Sequence, residues 1–231
     1  MIVLGPAELV DTPMAWPVVA SRTLGTGVIT TLRQDDVRTP DGELIKREYL
    51  DHPGAVSVIA LDDQQRVALV RQYRHPVRHR LIEPPAGLLD VAGENYLLAA
   101  QRELAEEVGL SAGRWDVLVD LFSTPGILGE SLRVYLARDL QATDAPAGFL
   151  REGEEAHMDT VWAPLPDMVD AVLAGRLHSP SLVAGVLAAW IAWQRDQFAS
   201  LREAHAPWPA RESAVAAMET DPAEAGPAEA D

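Results

Sequence analysis

From Ala55 to Leu61, and again from Arg66 to Gln72, apolar and β-branched residues crowd into two short runs separated by Asp62-Asp63-Gln64-Gln65. Two such runs around a polar turn predict a β-hairpin. Upstream, residues 25–37 and 42–50 carry alternating and β-branched positions, and Thr39-Pro40-Asp41-Gly42 between them is a hairpin turn signal. Residues 79–94 hold Pro84, Pro85, Gly87 and Gly93 and are expected to be mostly loop. From about 95 to 108 the period becomes helical: Leu97, Leu104 and Val108 share a face with Gln101 among them, and Gly109 supplies a stop. Residues 114–126 and 130–140 read as two further strands around a Pro-Gly loop, and 160–165 as a short strand. Helices are expected over 166–175 and from 180 to about 203, the second opening on Ser179-Pro180. From 206 onward the chain is rich in Ala, Pro and Glu and is expected to be disordered.

Strands, one mid-chain helix, more strands and then helices predict an α+β fold or a mixed α-β-α sandwich, not a doubly wound parallel sheet. Three regions follow: a strand-rich stretch over 1–50 forming a small N-terminal β-sheet, a main domain over 51–205, and an acidic tail over 206–231.

Composition narrows the partners. With 231 residues, 48% of them apolar, the chain suits one ordinary domain with a small appendage. A formal charge of -16 argues against nucleic acid, whose binding depends on neutralising phosphates, and against anionic membrane surfaces. There is no cysteine, which excludes disulfides and thiolate metal sites. The first residues, MIVLGPAELVDTPMAW, show no basic stretch followed by a long apolar core, so no secretory signal is expected. The longest apolar run, 181–193, is too short to span a bilayer and reads as a buried helix. The resulting expectation is a soluble cytoplasmic protein.

The chemistry concentrates in "RELAEEVGL", residues 102–110. On a helix, Glu103 lies three residues from Glu106 and four from Glu107, so the three carboxylates share one patch, with Arg102 beside them. Like charges at these spacings cost about 0.2–0.5 kcal/mol per pair. Two readings are open: a solvated acidic face, or a site where oxygen ligands hold Mg²⁺ or Mn²⁺ and the cation cancels the repulsion.

Residues 86–110, "AGLLDVAGENYLLAAQRELAEEVGL", resemble the Nudix box, written G-x5-E-x7-R-E-U-x-E-E-x-G-U with U a bulky aliphatic residue. Everything from Glu94 onward fits. The departure is in the preceding loop, where six residues rather than five separate Gly87 from Glu94. The resemblance implies the Nudix fold, a mixed sheet between helices, and hydrolysis of a nucleoside diphosphate linked to another moiety. It makes Glu103, Glu106 and Glu107 divalent-cation ligands together with the Ala86 carbonyl. Arg102 would hold the box together by a salt bridge, and Glu94 would be its partner or an outer ligand. The cation implied is Mg²⁺, with Mn²⁺ as the alternative.

Residues 52–90 look like the ADP-ribose pyrophosphatase branch of that family. They carry His-Pro-Gly-Ala at 52–55, Arg-Gln-Tyr-Arg at 71–74, and Glu83-Pro84-Pro85-Ala86-Gly87, with Pro84 where the branch usually has leucine. The substrate implied is a small nucleoside diphosphate, ADP-ribose, cleaved to AMP and ribose 5-phosphate. Another nucleotide sugar is the neighbouring alternative, and a non-catalytic nucleotide-sensing module is the alternative of a different class. Guanidinium groups suit phosphate oxygens. Arg71 and Arg74 are the candidates, and alternation along a strand lets one of them face the site, with Arg74 favoured by the branch pattern. Glu83 would orient that arginine or the ribose, or serve structure alone. His75, Arg78, His79 and Arg80 read as a solvated basic loop. The resemblance puts the general base on a later loop: Glu154 or Glu155 in "REGEEAHMD", residues 151–159, with Glu130 as a competing acid and His157 facing solvent. It also implies a homodimer in which the N-terminal strands exchange between subunits; Trp16 and Tyr49 are candidates for stacking on adenine, with a core or interface role as the alternative.

Overall fold

The hairpin expected around Asp62 forms. In the computed structural model, which describes residues 3–91, 93–145 and 155–220, the turn closes through Asp62 N–H to the Arg66 carbonyl at 3.0 Å and Gln65 N–H to the Asp62 carbonyl at 2.9 Å. The Asp62 carboxylate accepts from the Arg66 and Gln64 N–H groups at 2.7 and 3.0 Å, so an aspartate at the head of the turn satisfies donors the ladder leaves over. Two compact units make up the chain: Met1–His52 with Thr124–Gly129 and Pro207–Asp231, and Pro53–Ser123 with Glu130–Ala206.

The first unit is built on an antiparallel meander, β1 (Val18–Thr26), β2 (Thr31–Arg38) and β3 (Leu44–Asp51). The Thr39-Gly42 turn closes as its sequence suggests, with Gly42 at φ 91° donating to the Thr39 carbonyl at 2.9 Å. Leu50 bonds to the 124–129 segment through its N–H to Ile127 and its carbonyl to Gly129, at 2.8 and 2.9 Å. A helix over Pro209–Thr220 completes this unit's described part. Composition suggested disorder from 206 onward, but over 209–220 Pro209 in the first turn and the alanines that follow satisfy helix requirements, and residues 221–231 lie outside the described residues.

The second unit holds a mixed sheet. Its strands are β4 (Ala55–Leu61), β5 (Arg66–Arg74), β6 (His79–Glu83), β7 (Ala86–Leu88), β8 (Leu110–Phe122), β9 (Ser131–Ala142), β10 (Asp159–Pro164) and β11 (Arg202–Glu203). The order is β10-β5-β4-β9-β8-β11, with β6 added to β5 and β7 to β4; β4 and β9 run parallel and the other pairs antiparallel. Period-two alternation along β4 explains the layers. Ile59 and Leu61, with Leu69 and Val134, meet α2 (Leu165–Leu173) and α3 (Pro180–Asp196), whereas Val56, Val58 and Ala60 meet α1 (Tyr96–Val108). The sheet lies between helices on both faces, the mixed α-β-α sandwich expected from the element order.

Several element boundaries differ from the sequence reading; the strand expected over 114–126, for one, runs Leu110–Phe122. Residues 79–94 are not mostly loop: β6 extends the β5 hairpin in register from Arg74↔His79 to Val70↔Glu83, and β7 pairs with β4. The prolines occupy only the break between those strands, so ladder hydrogen bonds form on either side of them. The last long helix stops at Asp196, not 203, because Gln197 and Phe198 take φ 54° and 72° and the chain returns to the sheet edge as β11 against Val117 and Asp116. No glycine marks that stop; a distant sheet edge supplies it. The preceding helix, expected over 166–175, spans Leu165–Leu173.

Candidate active site

Helix α1 is capped at both ends. The Asn95 side chain accepts from the Leu98 N–H at 3.0 Å, and Gly109, at φ 66°, donates to the Ala105 carbonyl at 3.1 Å. Ala99, Ala100 and Leu104 seat the helix on the sheet, and that seating turns Glu103 and Glu107 towards β7. Both glutamates are buried among charged and backbone partners.

Arg102 organises the cluster. Its Nε and Nη2 donate to the two Glu94 oxygens at 3.1 and 3.0 Å, and its Nη1 donates to Glu103 at 2.5 Å and Glu106 at 3.1 Å. One planar guanidinium thus joins three carboxylates. The Glu94 bonds, followed by Glu103, raise the Arg102 pKa above its ordinary value despite partial burial, so the cation is permanent. Glu107 faces the other way, where its Oε2 accepts the Ala86 N–H at 2.9 Å. Gly87 pairs with Val56 of β4, so the N–H and carbonyl of its neighbour Ala86 both point away from β4, and the N–H meets Glu107. A side chain on Gly87 would overlap the Glu103 carboxyl group, which is the physical reason for glycine there.

Glu103, Glu106, Glu107 and the Ala86 carbonyl would together make an all-oxygen donor set. Such a set fits a hard divalent cation. Among the described residues, no three acidic or histidine side chains are already arranged as a cation cage, because Arg102 lies between Glu103 and Glu106.

The strand register separates the two candidate arginines. Ala68 packs on the α1 side of β5, so alternation puts Arg74 on that side and Arg71 on the other, with Leu69. Arg74 forms a forked pair with buried Glu83, its Nε and Nη2 at 3.0 and 2.6 Å from Oε2. Arg71 donates to Asp159 of β10 at 2.9 Å, and Arg80 pairs with the same carboxylate. His75 and Arg78 lie exposed on the β5–β6 turn and His79 exposed at the start of β6, and the Tyr73 hydroxyl and His75 Nδ1 are hydrogen-bonded at 3.1 Å. Of the proposed bases, Glu154 lies outside the described residues, and Glu155 opens a single 3-10 turn that ends at an exposed His157. Glu130 is half-buried, and its carbonyl accepts from the Ser123 N–H at 3.2 Å. In the N-terminal unit Trp16 is exposed and Tyr49 half-buried.

Sequence reading missed Asp159, which ties two arginines from 88 and 79 residues away. It also missed Arg133. The signal there was a lone charge inside the otherwise apolar run Leu132–Ala137 of β9.

A family profile for the NUDIX domain matches residues 51–183, and the chain belongs to that family. It is 44% identical over 203 residues to an ADP-ribose pyrophosphatase of Mycobacterium tuberculosis, covering 88% of this chain and 96% of that protein. A methanol dehydrogenase activator of Bacillus methanolicus is 31% identical over 168 residues, covering 73% of this chain and 89% of its own. A solved structure described as an ADP compounds hydrolase superposes with a TM-score of 0.66 at 21% identity, over 81% of this chain and all of that one, a likeness of fold. No described helix is long and apolar enough to cross a membrane.

Proposed function

We propose that this chain is a Mg²⁺-dependent Nudix pyrophosphohydrolase that hydrolyses the diphosphate of ADP-ribose to AMP and ribose 5-phosphate. The observation that carries the reading is that Glu103 and Glu106 share the Arg102 hub while Glu103 and Glu107 lie against Gly87 and Ala86 of β7. The substrate follows from the similarity to the mycobacterial ADP-ribose pyrophosphatase.

Glu103, Glu107 and the Ala86 carbonyl would hold the cation, with Glu106 assisting. When bound, it neutralises diphosphate charge and lowers the pKa of an attacking water. Arg74 supplies the fixed cation of the β5 side. Its fork is already oriented by Glu83, so little side-chain freedom is lost when phosphate oxygens arrive. Water adds its oxygen to one phosphorus as the bridging P–O bond breaks. A glutamate of the 151–159 segment, Glu154 or Glu155, takes the water's proton, and the other phosphate leaves with the bridging oxygen. One water is consumed for each AMP and ribose 5-phosphate formed.

The protein works as a homodimer through β1–β3, with the three regions 1–50, 51–205 and 206–231 serving as pairing sheet, catalytic domain and acidic tail. Sedimentation of the full chain tests this: a monomer at micromolar concentration refutes the dimer. For the substrate, the test is a panel of ADP-ribose and nucleotide sugars assayed with Mg²⁺. Turnover fastest on ADP-ribose supports the reading. Faster turnover of another nucleotide sugar moves the substrate and keeps the cation site, and nucleotide binding without turnover refutes the enzyme.

A further inference from the structure

Arg133, near the start of β9, is a charged residue at 1% exposure. It leaves the strand on the α1 side, as Tyr135 does two residues later. Its cross-strand partner on β8, Asp120, takes the guanidinium in a fork, Nε to Oδ1 at 2.7 Å and Nη2 to Oδ2 at 3.0 Å. Nη1 donates to the Ala206 carbonyl at 2.7 Å, and Cζ stands 5.2 Å from the centre of the Tyr96 ring. The segment that supplies Ala206 is fastened again by Arg202 to Asp120 at 2.7 Å and by the Tyr135 hydroxyl to the Ala204 carbonyl at 3.2 Å. Burial works to lower the Arg133 pKa, but the paired Asp120 more than offsets it and the side chain stays charged.

Tyr96 is the first residue of α1. A helix N-terminus carries partial positive charge, so a cation beside it has the wrong sign for the dipole. A buried ion pair also has little advantage in stability over well-packed apolar residues. Neither helix capping nor bulk stability accounts for a cation here. What Arg133 supplies is a fixed direction: a forked bond, a carbonyl bond and the face of one aromatic ring.

We propose that Arg133 is a positioning residue for the carboxylate helix, setting α1 on the sheet through Tyr96 so that Glu103 and Glu107 reach their cation-binding places. This rests on the cation-dependent reading above. The helix transmits the setting because its far end has no slack. Glu103 is wedged against Gly87, and Glu107 is tied to the Ala86 N–H. A small tilt at Tyr96 therefore displaces both carboxylates.

The test is Mn²⁺ binding to the full chain without substrate, followed by the electron paramagnetic resonance of free Mn²⁺. Circular dichroism melts of each variant run alongside. Tyr96→Phe keeps the ring and is expected to bind within about twofold of wild type, whereas Tyr96→Leu removes it and is expected to weaken binding about tenfold. Arg133→Lys, which keeps the charge and loses the fork, is expected to match Tyr96→Leu. A folded Tyr96→Leu or Arg133→Lys with wild-type Mn²⁺ affinity overturns the proposal, even with a lowered melting temperature. Equal weakening in Tyr96→Phe and Tyr96→Leu also overturns it. If the wild-type chain binds no Mn²⁺, the cation reading itself fails, which is a different result from unaltered binding in the variants.

Discussion

Gly87→Ala is a one-atom perturbation aimed at the cation site. The backbone at Gly87 is not in the left-handed region, so an alanine is conformationally acceptable there. The added Cβ nevertheless overlaps the Glu103 carboxyl oxygen, its carbon and its Cγ. Because Cγ is among the atoms struck, rotating the carboxylate alone gives no relief, and Glu103 must change its χ angles and leave the Arg102 Nη1 bond. An off-rotamer side chain costs about 0.5–1.5 kcal/mol, and loss of one partly buried hydrogen bond adds about 1 kcal/mol. The fold survives a cost of that size, since single domains have about 5–15 kcal/mol of stability. Function does not survive equally, because even groups that only orient a metal ligand are worth about 10–100-fold in affinity or activity. Urea denaturation and Mg²⁺ titrations of turnover are the paired assays. The expected result is a shift of about 1–3 kcal/mol in stability with at least about a tenfold loss of kcat/KM. A Gly87→Ala protein with wild-type turnover and an unchanged Mg²⁺ requirement refutes the placement of Glu103 in the site.

Other substitutions probe separate parts of the molecule. Arg74→Lys keeps the charge but not the fork on Glu83, and kcat/KM should fall about tenfold or more, read from initial rates; an unchanged value removes Arg74 from the substrate. Gly109→Ala puts a side chain at φ 66° and should destabilise the protein by about 1 kcal/mol in urea melts, with unaltered stability as the contrary result. Partial burial works to raise the Asp62 pKa, but the Arg66 N–H, the Arg66 guanidinium and the Gln64 N–H together hold it below the ordinary carboxylate value. Its contribution to stability is therefore present above the unfolded value of about 3.9 and is lost as pH falls through the lowered folded value. Wild type should be the more stable of the pair with Asp62→Asn at neutral pH, and the gap should close below about pH 4; a gap that widens on acidification contradicts the sign.

What could be read from sequence was local. The α1 helix announces itself by its period, its Gly109 stop and the carboxylate spacing, all within about four turns of chain. The Asp62 hairpin is equally self-contained. What escaped depends on partners far away in sequence. β7 is a strand because β4 offers a free edge, and β11 ends α3 because β8 does; neither edge is visible from the residues concerned. Arg71 and Arg74 differ by register alone, and register is fixed by the whole sheet. Arg133 looks like an oddity in an apolar run until Asp120, thirteen positions earlier, becomes its cross-strand neighbour. The choice between Glu154 and Glu155 falls to the chemistry of variants.

Side-by-side turnover of wild type and Glu107→Gln bears most directly on the carboxylate helix as the seat of the chemistry. Glutamine keeps an acceptor for the Ala86 N–H, so the local fold is preserved while the ligand charge is removed. Both proteins would be incubated with ADP-ribose at saturating Mg²⁺ and with excess EDTA, and AMP resolved by ion-exchange chromatography. The expected result is AMP release by wild type that EDTA abolishes and that Glu107→Gln reduces by about 100-fold or more. Glu107→Gln releasing AMP at the wild-type rate, or wild-type release that EDTA leaves intact, would contradict it.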